Sequence, residues 1–238
     1  MTDSDAQPEI DLTTVDFERG YRDGTLVEGV VMERMPWDTG QPQPMLVEYE
    51  AAGRISGEVL DVGCGPGDNA VFLAGRGYRV TGLDAAPTAI EMARARAAER
   101  GAQVEFAVAD ATVLAGYDGR FDTVVSSMLL HCLNPEQRRA NVAALHRVLR
   151  PGGRLVLSCF PENSIARLYS PYPVAETELR ELFSAPDWTL DGLRADRVTA
   201  VAPPAEALAA FRAGGFDPEV NEAGQMRLPT WVLEATRN

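Results

Sequence analysis

The chain has no apolar run approaching the roughly 18 residues that cross a bilayer, which excludes a membrane-spanning helix and points away from any membrane partner. Its first residues, MTDSDAQPEIDLTT, are acidic and polar, without the basic start and apolar core of a signal or transit peptide. Cysteine is scarce: Cys64, Cys132 and Cys159 stand far apart and form no CxxC pair, so neither a thiolate metal site nor a disulfide framework is expected. A reducing, cytoplasmic setting suits them. Histidine is scarcer, with only His131 and His146 and no His-x-x-x-His pair, so no metal is expected, and no Gly-x-Ser-x-Gly elbow marks a nucleophilic serine. Internal repeats are absent. Basic residues are outnumbered 22 to 35, a formal net charge of −13. Counterion release therefore disfavours a nucleic-acid partner, and the expected ligand is a small molecule bound by a monomer or homodimer.

What is present is the composition of a globular protein: 238 residues, 45% apolar and 24% charged, enough for one well-buried domain. Residues Met1 to about Glu9 read as a tail, and Leu12 to Arg22 as a short irregular helix. Pro36, Pro42 and Pro44 exclude regular structure around Met35–Pro44, and Met45–Ala52 suits another helix. After Gly57 the pattern becomes regular. Strands are expected at Glu58–Val62, Tyr78–Leu83, Val104–Val108, Phe121–Ser126 and Arg154–Ser158. Helices are expected at Asp68–Arg76, at Thr88–Arg100 with a Thr88/Glu91 capping box, and from an Asn134 cap with Pro135 at the first position to about Leu149. Pro151-Gly152-Gly153 reads as the turn into the fifth strand. Strand–helix alternation of this kind implies right-handed βαβ units and an α/β fold with ligands at the carboxyl ends of the strands. Beyond Phe160, helices are expected at Glu176–Ser184 and Pro203–Ala213 and strands at Trp188–Ala200 and Met226–Ala235, one of them antiparallel.

The most informative stretch is Asp61-Val62-Gly63-Cys64-Gly65-Pro66-Gly67-Asp68, a glycine loop between strand and helix, where missing Cβ atoms allow a ligand to approach the backbone. By itself such a loop also serves as a simple tight turn. Its Gly-x-Gly-x-Gly spacing departs from the dinucleotide fingerprint, and Pro66 removes a donor that a pyrophosphate could use. Asp84 ends the second strand 17 residues beyond Gly67, where a carboxylate can accept ribose hydroxyls. Asp110 ends the third strand, one position further along the same edge. Each alone would pass for a turn former; together at successive strand ends they form a pattern.

With these residues in place the sequence resembles the class I S-adenosylmethionine-dependent methyltransferases. Val59 to Gly67 looks like the first motif of that family, Asp84 like its ribose acid and Asp110 like its adenine contact. Phe121–Ser127 and Leu149–Leu155 look like its later landmarks. The resemblance implies a Rossmann-like three-layer sandwich with a seven-stranded, mostly parallel sheet whose last strand is antiparallel. It implies S-adenosylmethionine as cofactor, S-adenosylhomocysteine as product, and a cofactor site drawn from Asp61, Gly63, Cys64, Gly65, Gly67, Asn69, Asp84, Ala85, Asp110, Ala111 and Ser127. A narrower resemblance, carried by Pro36-Trp37-Asp38-Thr39-Gly40 and Gly67-Asp68-Asn69-Ala70, points to the branch of thiopurine, thiol and heterocyclic-toxin methyltransferases, in which the Trp segment folds over the cofactor. Trp37 is assigned that role. Residues 1–54 are then a tail and a helical, proline-rich cover over the active site. Residues 55–238 are the methyltransferase domain, with 161–186 and 201–216 as insertions forming a lid.

Methyl transfer from a sulfonium needs alignment and exclusion of water more than acid–base residues, so a missing catalytic constellation does not argue against an enzyme. His131, just after the fourth strand, is the candidate general base or orienter; His146 has no expected role. Phe17, Tyr21, Trp37, Met128, His131, Tyr169 and Tyr172 are the candidate substrate contacts, suited to a flat aromatic acceptor methylated on O, N or S. Arg19 and Arg22 read as solvated surface charges, and Cys64 as a buried loop residue rather than a nucleophile. Competing readings are a nicotinamide-dependent oxidoreductase, a noncatalytic cofactor-binding module acting through a partner, and methylation of a protein. If Asp84 holds the ribose, Asp84→Ala lowers S-adenosylmethionine affinity about 10- to 100-fold, the loss of a charged hydrogen bond, in a chain that still folds. Calorimetry and circular dichroism check both parts.

Overall fold

The computed structural model describes residues 12–27, 30–163 and 166–238. The expected tail at residues 1–9 lies outside the described residues, as do Ser164 and Ile165. A 3-10 turn, Leu12–Thr14, and the helix α1, Phe17–Asp23, replace the single irregular helix expected there. The Asp16 carboxylate accepts the Arg19 N–H at 2.9 Å and caps α1, and Gly24 ends it at φ 81°. A small antiparallel hairpin of β1, Thr25–Val27, and β2, Val30–Val31, is an addition to the expected elements. The helix α2, Pro44–Ala51, begins at its proline.

The sheet follows the expected rhythm. It contains β3 (Glu58–Val62), β4 (Arg79–Asp84), β5 (Glu105–Val108), β6 (Phe121–Ser127), β7 (Leu149–Cys159), β8 (Trp188–Val201) and β9 (Gln225–Arg237). These are joined through α3 (Asp68–Gly75), α4 (Pro87–Glu99), α5 (Pro135–Val148), α6 (Glu176–Leu182) and α7 (Ala205–Ala213). The order is β5-β4-β3-β6-β7-β9-β8, and the last strand, β9, runs antiparallel to both neighbours. Period-two alternation sends neighbouring side chains to opposite faces. Leu60, Val62, Val124, Leu155, Leu157 and Leu233 pack with α5 and α6, whereas Val59, Val125, Val156 and Val232 pack with α2, α3 and α4. The result is a three-layer sandwich. Strand order reverses between β3 and β6, which places the topological switch point at the carboxyl end of β3, where the glycine loop begins.

Two local expectations need correction. Pro151-Gly152-Gly153 is an irregularity inside β7, not a turn before it: Phe121 pairs with Leu149 and Thr123 already with Arg154. The helix α4 has no Thr88/Glu91 capping box; its N-cap is Ala86, and no side chain of its own caps it. The Glu18 carboxylate of α1 takes that place, accepting the Thr88 N–H at 3.1 Å and the Thr88 hydroxyl at 2.6 Å. A carboxylate from elsewhere in the chain thus satisfies a helix N-terminus that the local sequence leaves open. The expected Asn134 cap on α5 forms, with Pro135 at the first position, and the Gln137 side chain adds a reciprocal bond that makes it a capping box.

Among the described residues no helix is long and apolar enough to cross a membrane. Two surface grooves, about 560 and 810 Å³, share Arg79 at the start of β4; the first is lined also by the end of α4 and the second by α3. They open away from the carboxyl ends of the strands. Because Glu18 rather than Glu91 caps α4, Glu18→Ala costs about 1 kcal/mol of stability, the usual cost of a lost cap, and Glu91→Ala almost nothing. Urea unfolding of the two variants measures the difference.

Candidate active site

The glycine loop turns its backbone donors inward. The N–H groups of Gly63 and Cys64 both bond to the Leu83 carbonyl, at 2.8 and 3.0 Å, Gly65 N–H to Asp84 Oδ2 at 2.8 Å, and Gly67 N–H to the Cys64 carbonyl at 3.0 Å. Pro66 has none to give. No N–H between Gly63 and Gly67 is left for a pyrophosphate, which removes the structural basis of the nicotinamide reading. The shape demands glycine: Gly65 and Gly67 have φ of 51° and 85°, and a Cβ on Gly67 would lie 2.9 Å from the Ala93 Cβ.

The polar groups at this edge are carboxylates. Asp84 accepts the Gly65 N–H and, on its other oxygen, the Ala86 N–H at 2.9 Å, so it joins the loop to the start of α4 as well as facing the edge. Burial raises its pKa, against the hydrogen bonds that lower it. Asp61, 1% exposed at the penultimate position of β3, has neither oxygen in a hydrogen bond. Burial first, then the negative charge of Asp84, push its pKa up to about 7, against the Ala70 backbone N–H, which points toward the carboxylate from beyond hydrogen-bond distance and lowers it. A buried acid without a partner is costly unless a cation or donor arrives. Asp110 is exposed, and one of its oxygens closes a turn by accepting the Thr112 N–H and hydroxyl at 2.8 and 2.7 Å. Ala111 offers its carbonyl to Asn141, and Ser127 lies 3.4 Å from the Ser158 hydroxyl. Burial raises the Cys64 thiol well above its ordinary value and raises Cys132 to about 12, so neither is a ready thiolate.

Residues of the N-terminal segment rest on the loop. A Cβ on Gly65 would lie 2.9 Å from the Tyr21 hydroxyl and 3.7 Å from the Trp37 ring. The Trp37 indole N–H donates to the Tyr21 hydroxyl at 2.6 Å, and the Phe17 ring lies 5.7 Å from Trp37. Burial and the nearby Asp84 keep the Tyr21 phenol protonated. The segment is tied down at three further places. Asp38 pairs with Arg96 at 2.9 Å, and Arg96 with Asp68 at 2.8 Å. Gln43 exchanges two hydrogen bonds with the Thr199 backbone on β8, each 3.1 Å. The Asn69 side-chain oxygen accepts the Gln43 N–H at 3.0 Å, so this expected cofactor contact holds the segment in place. Arg19 and Arg22 lie in exposed pairs with Asp23.

On the other side of the edge, Met128 follows β6 with φ 62°, an uncommon backbone state for a side chain of its size. His131 is buried against Phe160, ring centroids 4.3 Å apart, and its Nδ1 accepts the Phe160 N–H at 3.3 Å. Burial and the Arg138 charge lower its pKa to about 3. The ring is therefore neutral, with its proton on Nε2 and its one lone pair engaged. Tyr169 packs edge-on to Phe160 at 4.6 Å and lies near Phe211 and Phe216; its hydroxyl is buried without a partner. Tyr172 joins the group through its backbone, its N–H donating to the His131 carbonyl at 3.0 Å. Phe160, Phe211, Phe216 and Arg138 are absent from the candidates read in the sequence. Arg138 carried a signal: it shares a helical face with Asn141, Val142 and Leu145, a charge in a buried stripe. His146 packs against Trp188, away from this edge. Among the described residues no group of side chains could hold a metal ion.

Residues 59–153 match the family described as a methyltransferase domain. The chain is 39% identical over 224 residues to the 2-heptyl-1-hydroxyquinolin-4(1H)-one methyltransferase of Mycobacteroides abscessus, covering 93% of this chain and 96% of that protein. It is 35% identical, with a TM-score of 0.76, to a solved structure from work on the conversion of a disulfide bond into a thioacetal group during echinomycin biosynthesis, covering 93% and 91% of the two chains. The fold is also that of the magnesium protoporphyrin IX methyltransferase of Synechocystis, solved with bound S-adenosylmethionine (TM-score 0.57, 23% identity, 82% and 76% covered). With a matching relative along nearly its whole length and the glycine loop and acids in their places, the chain belongs to the class I S-adenosylmethionine-dependent methyltransferases and is a small-molecule methyltransferase.

Proposed function

We propose that the chain methylates a hydroxylated, planar aromatic heterocycle of the hydroxyquinolone class, on an oxygen in preference to nitrogen or sulfur, using S-adenosylmethionine bound at the carboxyl ends of β3, β4 and β5. The observation that carries the cofactor reading is the unpartnered Asp61 carboxylate beside a loop with no donors left to offer. Such a site suits a ligand with a cationic amino-acid end, not a pyrophosphate. Asp61 would hold the ammonium and Asp84 the ribose hydroxyls. Asp110, with one oxygen still free of the Thr112 turn, would meet the adenine amino group. Gly63, Gly65 and Gly67 allow close approach, with Cys64, Ala85, Ala111 and Ser127 as lining. Support for the acceptor class comes from the name of the whole-length relative and from the aromatic wall of His131, Phe160 and Tyr169. We place the enzyme in the cytoplasm, as a monomer or homodimer.

S-adenosylmethionine, when bound, supplies an electrophilic methyl group and its own leaving group, leaving S-adenosylhomocysteine. The protein's part is to align and to exclude water. Phe17, Tyr21 and Trp37 form the cover, and Asp38 and Gln43 anchor it. Met128, Tyr169 and Tyr172 complete the acceptor side. His131 acts as orienter: the engaged Nδ1 and the low pKa leave an Nε2–H donor and no base. An acidic N-hydroxyl or phenol reaches the site as its anion, so no base is required.

Incubating the enzyme with S-adenosylmethionine and a panel of thiols, phenols and N-hydroxyquinolones tests this directly. S-adenosylhomocysteine release is expected with the quinolones; tight cofactor binding without turnover on any acceptor would instead favour a noncatalytic module. His131→Ala is expected to lower kcat/KM about 10-fold, the loss of one donor hydrogen bond, without displacing the pH–rate profile; loss of an inflection in that profile would restore a base. The Asp61 acid gives a second signature. Its folded pKa is raised, so without ligand stability is greatest below the unfolded value and falls as pH rises to about 7. A bound ammonium favours the carboxylate, so cofactor binding below pH 7 releases a proton and affinity rises with pH until about 7. Calorimetry in buffers of different ionisation enthalpy reads the proton, and Asp61→Asn abolishes it.

A further inference from the structure

Arg138 is 2% exposed, and its guanidinium is shared among three separate pieces of chain. Nε donates to the Leu130 carbonyl at 3.2 Å, Nη1 to both oxygens of Glu178 on α6 at 2.9 Å, and Nη2 to the Tyr172 carbonyl. The contacts continue to the wall of the site. Tyr172 N–H donates to the His131 carbonyl at 3.0 Å, and Phe160 N–H donates to His131 Nδ1. The connection after Phe160 closes on itself through Val174 N–H to the Phe160 carbonyl and Glu162 N–H to the Val174 carbonyl, both 2.9 Å. Among the described residues, Arg138 is thus the one side chain bonded to both the segment that carries His131 and the segment that carries Tyr169 and Tyr172.

A purely structural role does not account for the arginine. It stands in the first turn of α5, where the helix dipole disfavours a cation. Its buried neighbours on the same face are the polar Asn141 and the apolar Val142 and Leu145, so the stripe does not require a charge, and an apolar side chain of similar volume would fill the space without desolvating one. What an apolar residue cannot do is fix two carbonyls and a carboxylate in one plane, which the planar fork does.

We infer that Arg138 is a positioning residue for the methyl acceptor: it locks the His131 segment to the Tyr172 segment and so fixes the wall against which the acceptor lies. The inference rests on the acceptor side proposed above. Arg138 itself touches neither reacting group; it acts through His131 and Phe160.

The test uses the full chain with Arg138→Lys and Arg138→Met, and Glu178→Gln as a variant that weakens the ion pair while leaving the bonds to Leu130 and Tyr172. Acceptor KM and kcat, cofactor Kd by calorimetry, and the imidazole signals in nitrogen–proton correlation spectra are measured together. With only two histidines, His146 serves as internal reference for His131. The wild type is expected to show His131 as a single Nε2–H tautomer. Arg138→Lys keeps a charge for Glu178 but loses the fork: acceptor KM rises about 10- to 100-fold, as misplacement of a positioning wall does, while cofactor Kd stays within about twofold, as for a site not touched. The His131 signal broadens or splits while that of His146 stays put. Glu178→Gln is expected to lower thermal stability more than it raises KM. An Arg138→Lys protein with unchanged acceptor KM and an unchanged His131 signal overturns the inference, as does equal loss of acceptor and cofactor binding. If the wild type methylates no acceptor on the panel, the functional reading fails separately, and the His131 spectra still decide the role of Arg138.

Discussion

A strand end that receives a ligand must satisfy its own backbone while leaving room for the guest, and here the two needs are met by different atoms. The loop from Gly63 to Gly67 spends its N–H groups on the Leu83 carbonyl, Asp84 and Cys64, so the backbone is closed before any ligand arrives. The polarity that remains open belongs to side chains, and at this edge those are carboxylates. In a chain of net charge −13 most acids are solvated, but Asp61 is not: it is buried with neither oxygen in a full hydrogen bond, its affinity for a proton raised to near neutrality. On the proposed reading, a preference of the site for a cationic over an anionic ligand follows from which groups the loop consumes and which it leaves.

The N-terminal segment depends on the same loop. Tyr21 can rest on Gly65 only because no Cβ stands there, and its hydroxyl in turn holds the Trp37 indole N–H. Their position is held from several directions by bonds that share few residues: Glu18 to the start of α4, Asp38 through Arg96 to Asp68, and Gln43 to both Asn69 and β8. Several of these partners, Thr88, Asp68 and Asn69, belong to helix starts around the glycine loop. The helix N-termini around the glycine loop therefore also hold the N-terminal segment, the cover of the proposed site. Exposed ion pairs contribute little singly, but Asp38 and Arg96 are mostly buried and joined into a network, where geometry is better retained.

The sheet was legible because it obeys one rule. Alternating residues such as Val59 and Leu60, or Val124 and Val125, face opposite helical layers, and that alternation needs only sequence order to be seen. The glycine loop and its acids were legible because their spacing is fixed by strand and helix lengths. What was not legible was pairing at long range. Nothing near Thr88 announces that its cap comes from Glu18, 70 residues earlier, and Glu91 offers a local decoy. Asn69 reads as a ligand contact by position, yet a backbone N–H 26 residues away takes its oxygen. The aromatic group of Phe160, Phe211 and Phe216 comes from the end of β7, from α7 and from the loop after it, and only the fold brings these rings around Tyr169. His131 was found by position, but its tautomer depends on the Phe160 N–H and could not be read without coordinates.

On the proposed reading, the contrast between the two sides of the edge has a chemical meaning. The carboxylates of the cofactor side are engaged with the ammonium, the ribose and the adenine, away from the sulfonium, while the acceptor side is aromatic, its one histidine held neutral. Where an oxyanion displaces a neutral thioether from a sulfonium, opposite charges cancel as the new bond forms. Surroundings that solvate neither ion strongly then favour the transition state relative to the separated charges. A protonated histidine on that side would work against transfer by stabilising the oxyanion of the ground state, whereas a neutral Nε2–H can direct the oxygen without neutralising it. The burial that lowers the His131 pKa and the Phe160 bond that fixes its tautomer thus act to the same end: a group that aligns the nucleophile and leaves its charge for the methyl carbon.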